Sequence, residues 1–144
     1  MSVCTFFGHH DCPAEIKPKL RTAIIELIEH KSVNMFYVGN HGAFDGMVRS
    51  VLRELKPIYP EINYAVVLAY MPQRRDELDD REYFDTMLPE GIEEAPPRFA
   101  ISWRNRWMLH RADYVVTCVT HTWGGAAQFT AMAERQKKTV IRLR

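Results

Sequence analysis

Apolar, strand-like runs alternate with segments of helical periodicity along the whole of this 144-residue chain. The first helical segment shows the pattern plainly, because Ile16, Leu20, Ile24 and Leu27 recur at helical spacing. Nearly continuous apolar strands separated by helices are typical of a parallel sheet covered on both faces. We therefore predict a three-layer α/β fold of about five strands, at 2–7, 33–38, 63–69, 113–119 and 139–143, with helices at about 14–30, 44–55, 98–111 and 126–137.

The chain length is near the commonest size of one domain, so we predict a single domain spanning residues 1–144. One connection, 73–97, is long and rich in charge and proline, which usually indicates a functional or mobile segment. In open parallel sheets, ligands bind beyond the carboxyl ends of the strands, where the strand order reverses. The loops 8–12, 39–45, 70–98 and 120–125 should therefore converge on one site.

The composition argues against several classes of protein. A formal net charge of +1 is too small for a nucleic-acid protein held mainly by bulk charge, although a local basic patch is compatible with it. No apolar run approaches membrane-spanning length, and the N-terminal segment carries no basic leader. We expect a cytoplasmic protein that does not bind membranes.

The three cysteines do not have the number or spacing of a disulfide framework. Cys4 and Cys118 lie in strand-like runs, where we expect them to pack as small apolar side chains. Cys12 lies in a predicted loop and should be more accessible. The expectation is three thiols in a reducing compartment.

The strongest candidate for a binding site is the stretch 119–127, VTHTWGGAA, which follows a strand and leads into a helix. Gly124 and Gly125 allow a ligand to approach the backbone, and first-turn N–H groups lack partners within the helix. The positive end of the helix dipole adds to the attraction for an anion. The alternative is that the two glycines only form a tight turn between strand and helix.

The second strand is followed by another loop with two glycines and polar side chains. Backbone N–H groups around Gly39, Asn40 and Gly42 could surround an anion. Asp45, in the first turn of the next helix, could bind ribose hydroxyls. It also has a simpler interpretation, because an acidic residue at a helix start favours the dipole without any ligand.

Four histidines, His9, His10, His41 and His121, follow predicted strand ends. His9, next to Gly8, could donate to a phosphate, transfer a proton, bind a metal or only make hydrogen bonds within its own loop. None of the four has the intrahelical spacing that makes a metal motif specific. We predict no metal and no cofactor, and no serine lies on a nucleophile elbow.

The third predicted helix carries two arginines of interest. Arg98 lies at the helix start, where a positive side chain gains nothing from the dipole, so it favours an anionic partner or a salt bridge to the acidic segment 76–85. Arg104 shares a face with apolar residues and could reach the strand ends while its stem packs. Trp103 and Trp107 should pack against the sheet or a partner subunit.

Several of these motifs in combination resemble a group of small bacterial proteins of the SLOG superfamily, which are related to LOG ("lysine decarboxylase-like") and DprA-type domains. The resemblance covers essentially the whole chain. It implies a Rossmann-like fold and a nucleotide or nucleotide-derived ligand. The motifs are FGH at 7–9, YVGN at 37–40 with GAFD at 42–45, VLAYMP at 67–72, LPEG at 88–91, PRFA at 97–100, RNRWM at 104–108 and VTHTWGGAA at 119–127.

LOG enzymes cleave the N-glycosidic bond of nucleoside monophosphates, and their signature is P-G-G-x-G-T-x-x-E with an arginine four residues before a methionine. Arg104 stands four residues before Met108 and matches that arginine. The glycine pair also matches, but Trp123 replaces the proline and Ala131 replaces the glutamate. The carboxylate that would support glycosidic cleavage is therefore missing from its expected place.

The favoured function is binding or sensing of a nucleotide or nucleotide-derived molecule, with its phosphate at the Gly124-Gly125 helix start. The alternative is a LOG-like hydrolase in which Arg104 acts with Asp45 or Glu90. A second alternative is an interaction module without a ligand. The relatives often form oligomers, so we expect a homo-oligomer. The candidate ligand-binding residues are Gly8, His9, Gly39, Asn40, Gly42, Asp45, Arg98, Arg104, Thr120, His121, Trp123, Gly124 and Gly125.

Overall fold

The computed structural model describes residues 2–70 and 85–144, which form a parallel sheet with helices on both faces. The predicted three-layer α/β fold is confirmed. The strands are β1 Ser2–Gly8, β2 Val33–Val38, β3 Asn63–Val67, β4 Thr86–Met87, β5 Tyr114–Cys118 and β6 Thr139–Arg142. The helices are α1 Lys17–Lys31, α2 Gly42–Leu55, α3 Ala100–Arg111 and α4 Gly125–Arg135. Short 3₁₀ turns occur at Ala14–Ile16, Ile92–Glu94 and Pro97–Phe99.

The predicted strand count was wrong by one, because the described residues form six strands in the order β4-β3-β2-β1-β5-β6. The additional strand, β4, has two residues and pairs with the end of β3 through Val66 and Thr86. Two residues are too few to show the period-2 pattern by which strands are recognised in a sequence. Residues 73–84 of the long predicted connection, 73–97, lie outside the described residues.

The sheet buries both of its faces, as adjacent residues of β1 show. Phe6 packs with Phe36 in a cluster that α1 and α2 cover, whereas Phe7 stacks on Phe129 of α4 on the other face. Successive side chains of a strand point to opposite faces, so a strand covered on both sides must be apolar at every position. This accounts for the mainly apolar run at the start of the chain, in which the hydroxyl of the buried Thr5 donates to the carbonyl oxygen of Tyr37 at 2.8 Å.

The strand order reverses between β1 and β5. From β1 the chain adds β2, β3 and β4 on one side, and then returns to place β5 and β6 on the other. Gly8, the last residue of β1, is directly paired with Cys118, the last residue of β5. The loops that follow these two strands therefore leave the sheet side by side and turn to opposite faces, which opens a crevice between them.

The cysteines differ from the expectation in two respects, since Cys12 is buried and two of the three expected thiols form a disulfide. Cys12 is not accessible: it is 4% exposed and forms a disulfide with Cys118. The strand order causes this pairing, since the loop after β1 lies beside the end of β5. Cys4 is a buried thiol, as expected, and its burial raises the pKa of the sulfur. Among the described residues, no helix has the length and apolar character needed to cross a membrane.

Candidate functional site

A cavity of about 460 Å³ lies at the carboxyl end of the sheet, in the crevice between β1 and β5. Three segments that the sequence singled out meet there: the loop after β1, the start of α2 and the start of α4. Helix α3 closes the cavity from the side. The lining residues are Phe6, Phe7, Gly8, His9, His10, Asp11, His41, Asp45, Ile101, Arg104, Asn105, Met108, His121, Trp123, Gly124, Gly125 and Ala126.

Helix α4 begins at this cavity. Gly124 precedes the helix with φ of 92° and ψ of 175°, a conformation that strongly favours glycine, and among the described residues no side chain caps the helix start. A Cβ at Gly125 would meet no described heavy atom within 4 Å. The first-turn N–H groups and the positive end of the helix dipole are thus presented to open space, which suits an anion.

His9 fixes the loop that precedes α4. Its Nδ1 accepts a hydrogen bond from the backbone N–H of Thr120 at 2.9 Å, and its Nε2 lies 3.0 Å from the carbonyl oxygen of Trp123. A backbone N–H can only donate and a carbonyl can only accept, so the neutral ring carries its proton on Nε2. The 6% exposed imidazole therefore holds the two strand-end loops together through both of its nitrogens.

His9, Asp11 and His121 each place one potential metal-ligand atom, a ring nitrogen or a carboxylate oxygen, within 4.8 Å of the other two. Such a cluster can hold a metal, but a metal ligand needs an available lone pair. Both nitrogens of His9 are occupied by backbone groups. Nε2 of His121 lies 3.8 Å from Asp11, and within the described ranges 2–70 and 85–144 these two groups alone make an incomplete ligand set.

Arg104 lies beneath the cavity and is 2% exposed. Nη1 donates to the carbonyl oxygen of Val67, at the end of β3, at 2.9 Å, and Nε donates to Oδ1 of Asn105 at 2.7 Å. Nη1 also lies 3.4 Å from Oδ1 of Asn40. Burial lowers the pKa of the guanidinium, and the nearby carboxylate of Asp45 opposes that change. Helix α3 thus places a buried, hydrogen-bonded cation under the strand ends.

His41 accepts from this guanidinium. Nη2 of Arg104 lies 3.4 Å from Nδ1 of His41, and a guanidinium can only donate, so Nδ1 is unprotonated. Burial, followed by the charges of Arg104, His10 and Arg49, lowers the pKa of His41. The lowered pKa and the hydrogen bond both favour the neutral imidazole.

Asp45 lines the same cavity and is 8% exposed. Its Oδ2 accepts the backbone N–H of His41 at 3.0 Å, which caps the start of α2. Burial raises the pKa of the carboxyl group, while the charge of Arg104 and the His41 hydrogen bond lower it. The raised pKa shows that burial is the largest of these effects.

Gly39 is required where it stands because of close packing. A Cβ at this position would lie 2.7 Å from Oδ2 of Asp45 and 2.8 Å from Nη1 of Arg104. Both polar groups therefore flank the same point of the backbone, at the carboxyl end of β2. Any side chain at Gly39 would push them apart.

The other candidate residues occupy varied positions. Gly8 lies against the ring of Phe44, Gly42 begins α2 with φ of 89°, and Thr120 donates its hydroxyl to Asp11 at 3.1 Å. Glu90 and Arg98 are exposed and are not among the described residues that line the cavity. Arg98 lies over the ring of its neighbour Phe99, at 4.9 Å from the ring centroid.

Sequence reasoning missed several residues that line the cavity. Ile101, Asn105 and Met108 of α3 belong to its wall, and Asn105 also orients Arg104. Their position one turn or less from Arg104 is the signal that could have identified them. Nδ1 of His10 lies 2.5 Å from the position that a Cβ at Gly42 would take, so the loop after β1 contacts the start of α2.

No protein-family model matches the sequence, and no curated protein matches it. Among solved structures, the fold is similar to the X-ray structure of DNA processing protein A (DprA) from Streptococcus pneumoniae, with a TM-score of 0.74 and 12% identity over 99% of this chain. It is also similar to DNA processing protein A from Helicobacter pylori, in a structure of its single-stranded DNA binding mode, with a TM-score of 0.68 and 12% identity over 98% of this chain.

This likeness concerns the fold. It confirms the expected Rossmann-like fold, which this chain shares with both DprA structures. The chain spans 50% of the first of these proteins and 64% of the second. Which ligand occupies the cavity has to be argued from the residues of this chain.

Proposed function

We propose that this protein binds a nucleotide or nucleotide-derived small molecule in the cavity, with a phosphate at the start of α4. The observation that carries the proposal is the open helix start: a Cβ at Gly125 meets no described heavy atom within 4 Å, and no described side chain caps the helix. A phosphate there would accept hydrogen bonds from first-turn N–H groups and gain from the helix dipole.

The charged groups of the cavity fit such a ligand. Arg104 supplies a buried positive charge, which favours an anion in the same space. Asp45 supplies carboxylate oxygens, which are suitable acceptors for ribose hydroxyls. The site also lies where the strand order reverses, which is the usual ligand position in open α/β sheets.

The test is a pair of substitutions that differ only in charge. Gly125→Asp and Gly125→Asn place side chains of equal size in open space, so we expect both variants to fold. The aspartate repels a phosphate at the helix start, whereas the asparagine does not. We expect Gly125→Asp to weaken nucleoside monophosphate binding at least about tenfold relative to Gly125→Asn, since two like charges about 4 Å apart cost on the order of 1–4 kcal/mol near a protein surface.

Calorimetric titration with nucleoside mono- and diphosphates measures this difference, and thermal unfolding verifies that both variants fold. Equal affinity of the two variants would show that the phosphate is not at α4. If the wild-type protein binds no nucleotide of the panel, the proposed function is wrong.

The second candidate function is hydrolysis of the nucleotide at its N-glycosidic bond. The observation in its favour is the buried carboxyl group of Asp45, with a raised pKa, beside Arg104. A raised pKa makes a carboxylate a stronger base than an ordinary one, which suits a group that accepts a proton during hydrolysis. Chromatography for free base tests it: turnover that Asp45→Asn abolishes while binding persists would select the hydrolase. Intact nucleotide after prolonged incubation would select binding alone.

Single-stranded nucleic acid is a competing ligand class, because the similar Helicobacter pylori structure concerns single-stranded DNA binding. The net charge of +1 gives little bulk attraction for a polyanion. An oligonucleotide in the same titrations separates the two classes. If it binds more tightly than every mononucleotide, the cavity is part of a longer nucleic-acid surface.

A homo-oligomer also remains a proposal. Phe99 and Ile101, at the start of α3, are 51% and 38% exposed. Exposed apolar side chains of this size suit an interface between two copies of the chain. Size-exclusion chromatography with light scattering measures the mass, and a single 16.8 kDa species would refute the proposal.

A further inference from the structure

Three aromatic rings form a stack at the rim of the cavity. The rings of His9 and His121 are 3.5 Å apart between centroids and 19° from parallel. The rings of His121 and Trp123 follow at 4.0 Å and 25°. The stack begins with a buried imidazole and ends with an indole that is 69% exposed. Its outer surface is therefore the second face of Trp123.

The stack is anchored through the backbone. The carbonyl oxygen of Trp123 accepts from Nε2 of His9 and lies 3.0 Å from Nδ1 of His121. Since a carbonyl can only accept, both nitrogens carry protons, and one acceptor holds both imidazoles. The indole rests on rings that are already fixed. It thus loses little conformational freedom when something covers its outer face.

An exposed indole keeps apolar surface in contact with water, and covering that surface with a ligand is favourable. Trp123 is the most exposed of the large apolar side chains in the described residues. It lines the cavity and directly precedes Gly124 and Gly125, so its ring and the α4 helix start belong to the same small site. A ligand with a phosphate at the helix start can thus reach the indole if it has a flat ring one sugar away.

We propose that Trp123 is the stacking surface for a nucleobase, so that the ligand of this site is recognised by its aromatic ring as well as by its phosphate. This inference rests on the proposed function, since it places the base of the same nucleotide. It makes Trp123 the residue that distinguishes a nucleotide from a sugar phosphate. The face of a base is similar for purines and pyrimidines, so the stacking selects for a base without selecting strongly among bases.

Two probes with the same phosphate and sugar separate base stacking from phosphate binding: adenosine 5′-monophosphate and ribose 5-phosphate. Trp123→Leu removes the ring but leaves the carbonyl that anchors His9 and His121, and Trp123→Tyr keeps an aromatic ring. We expect wild-type protein to bind the nucleotide about tenfold more tightly than the sugar phosphate, given the usual strength of base–aromatic stacking. Trp123→Leu should remove that difference without changing ribose 5-phosphate affinity. Trp123→Tyr should keep most of it.

The other outcomes have distinct meanings. If Trp123→Leu leaves the nucleotide affinity unchanged, base stacking is overturned and phosphate binding stands. This holds whether or not light scattering shows a fall in oligomeric mass. An equal loss for both probes also overturns it, because Trp123 would then act through the helix start. If neither probe binds the wild-type protein, and neither Gly125→Asp nor Gly125→Asn binds a nucleotide, the proposed function itself is wrong.

Discussion

The contact between Gly39 and the Asp45–Arg104 pair can be tested by adding a single methyl group. Gly39→Ala is compatible with the backbone, since Gly39 is not among the described glycines with positive φ. Its Cβ would nevertheless lie 2.7 Å from Oδ2 of Asp45 and 2.8 Å from Nη1 of Arg104. Flexible surface groups would move aside at little cost. These two cannot, because Asp45 is bound to the N–H of His41 and Arg104 to the carbonyl of Val67.

The expected magnitude follows from what must move. Inserting a methyl group into a packed site typically costs about 1–3 kcal/mol, and a weakened hydrogen bond adds about 1 kcal/mol. We expect Gly39→Ala to lower the free energy of unfolding by about 2–4 kcal/mol. For a domain of this size, that corresponds to a fall in Tm of roughly 6–12 °C.

Urea unfolding followed by circular dichroism measures this change, and Gly46→Ala is the matched control. Gly46 lies inside α2, and the nearest described heavy atom to its Cβ position is 3.9 Å away. Alanine there should raise stability by about 0.5–1 kcal/mol through its higher helix propensity. If Gly39→Ala unfolds within about 0.5 kcal/mol of wild type, then Asp45 and Arg104 do not crowd Gly39, and our account of the pair is refuted.

Two further predictions concern groups beside the cavity. Replacing both Cys12 and Cys118 by serine, or reducing their disulfide, should lower the free energy of unfolding by about 2–4 kcal/mol, because the bond closes a loop spanning 106 residues. Urea unfolding with and without reductant measures this change. Equal unfolding midpoints would count against the disulfide. Because the pKa of His41 is lowered in the folded protein, the unfolded chain binds a proton at this residue more readily. The stability that the neutral His41 contributes is therefore present above pH 6.5 and is lost as the pH falls from 6.5 through the lower pKa of the folded state. The difference in Tm between wild type and His41→Gln, followed from pH 8 to 5, should change in that window, and a constant difference would contradict the neutral imidazole.

Local sequence patterns predicted most of the elements, because these depend on residues close together along the chain. The spacing of Ile16, Leu20, Ile24 and Leu27 identified α1 as an amphipathic segment, and all four side chains are buried. The boundaries shifted by a few residues, as at α3, which begins at Ala100 after a 3₁₀ turn. The two-residue β4 could not be predicted, since its conformation depends on its pairing with β3.

The candidate site was predictable in its location but not in its internal roles. The rule that strand-end loops converge placed the Gly124-Gly125 turn beside the loop after β1. From the sequence, Glu90 was a reasonable substitute for the missing catalytic carboxylate. It is exposed, and it is not among the described residues that line the cavity. His9 was considered as a ligand-binding or proton-transfer group, but both its nitrogens bind backbone groups of the neighbouring loop.

The sequence by itself determined the alternation of strands and helices, the apolar faces they bury and the glycines at the strand ends. These are properties of short segments: the spacing of apolar residues predicts the strands and helices, and the backbone freedom of glycine predicts the turns. The tertiary structure alone decided that Arg104 meets Asn40 and Val67, that Cys12 meets Cys118, and that the Trp123 indole completes a stack begun by His9. Those contacts join residues from 37 to more than 100 positions apart, and the order of the strands in the sheet brings them together.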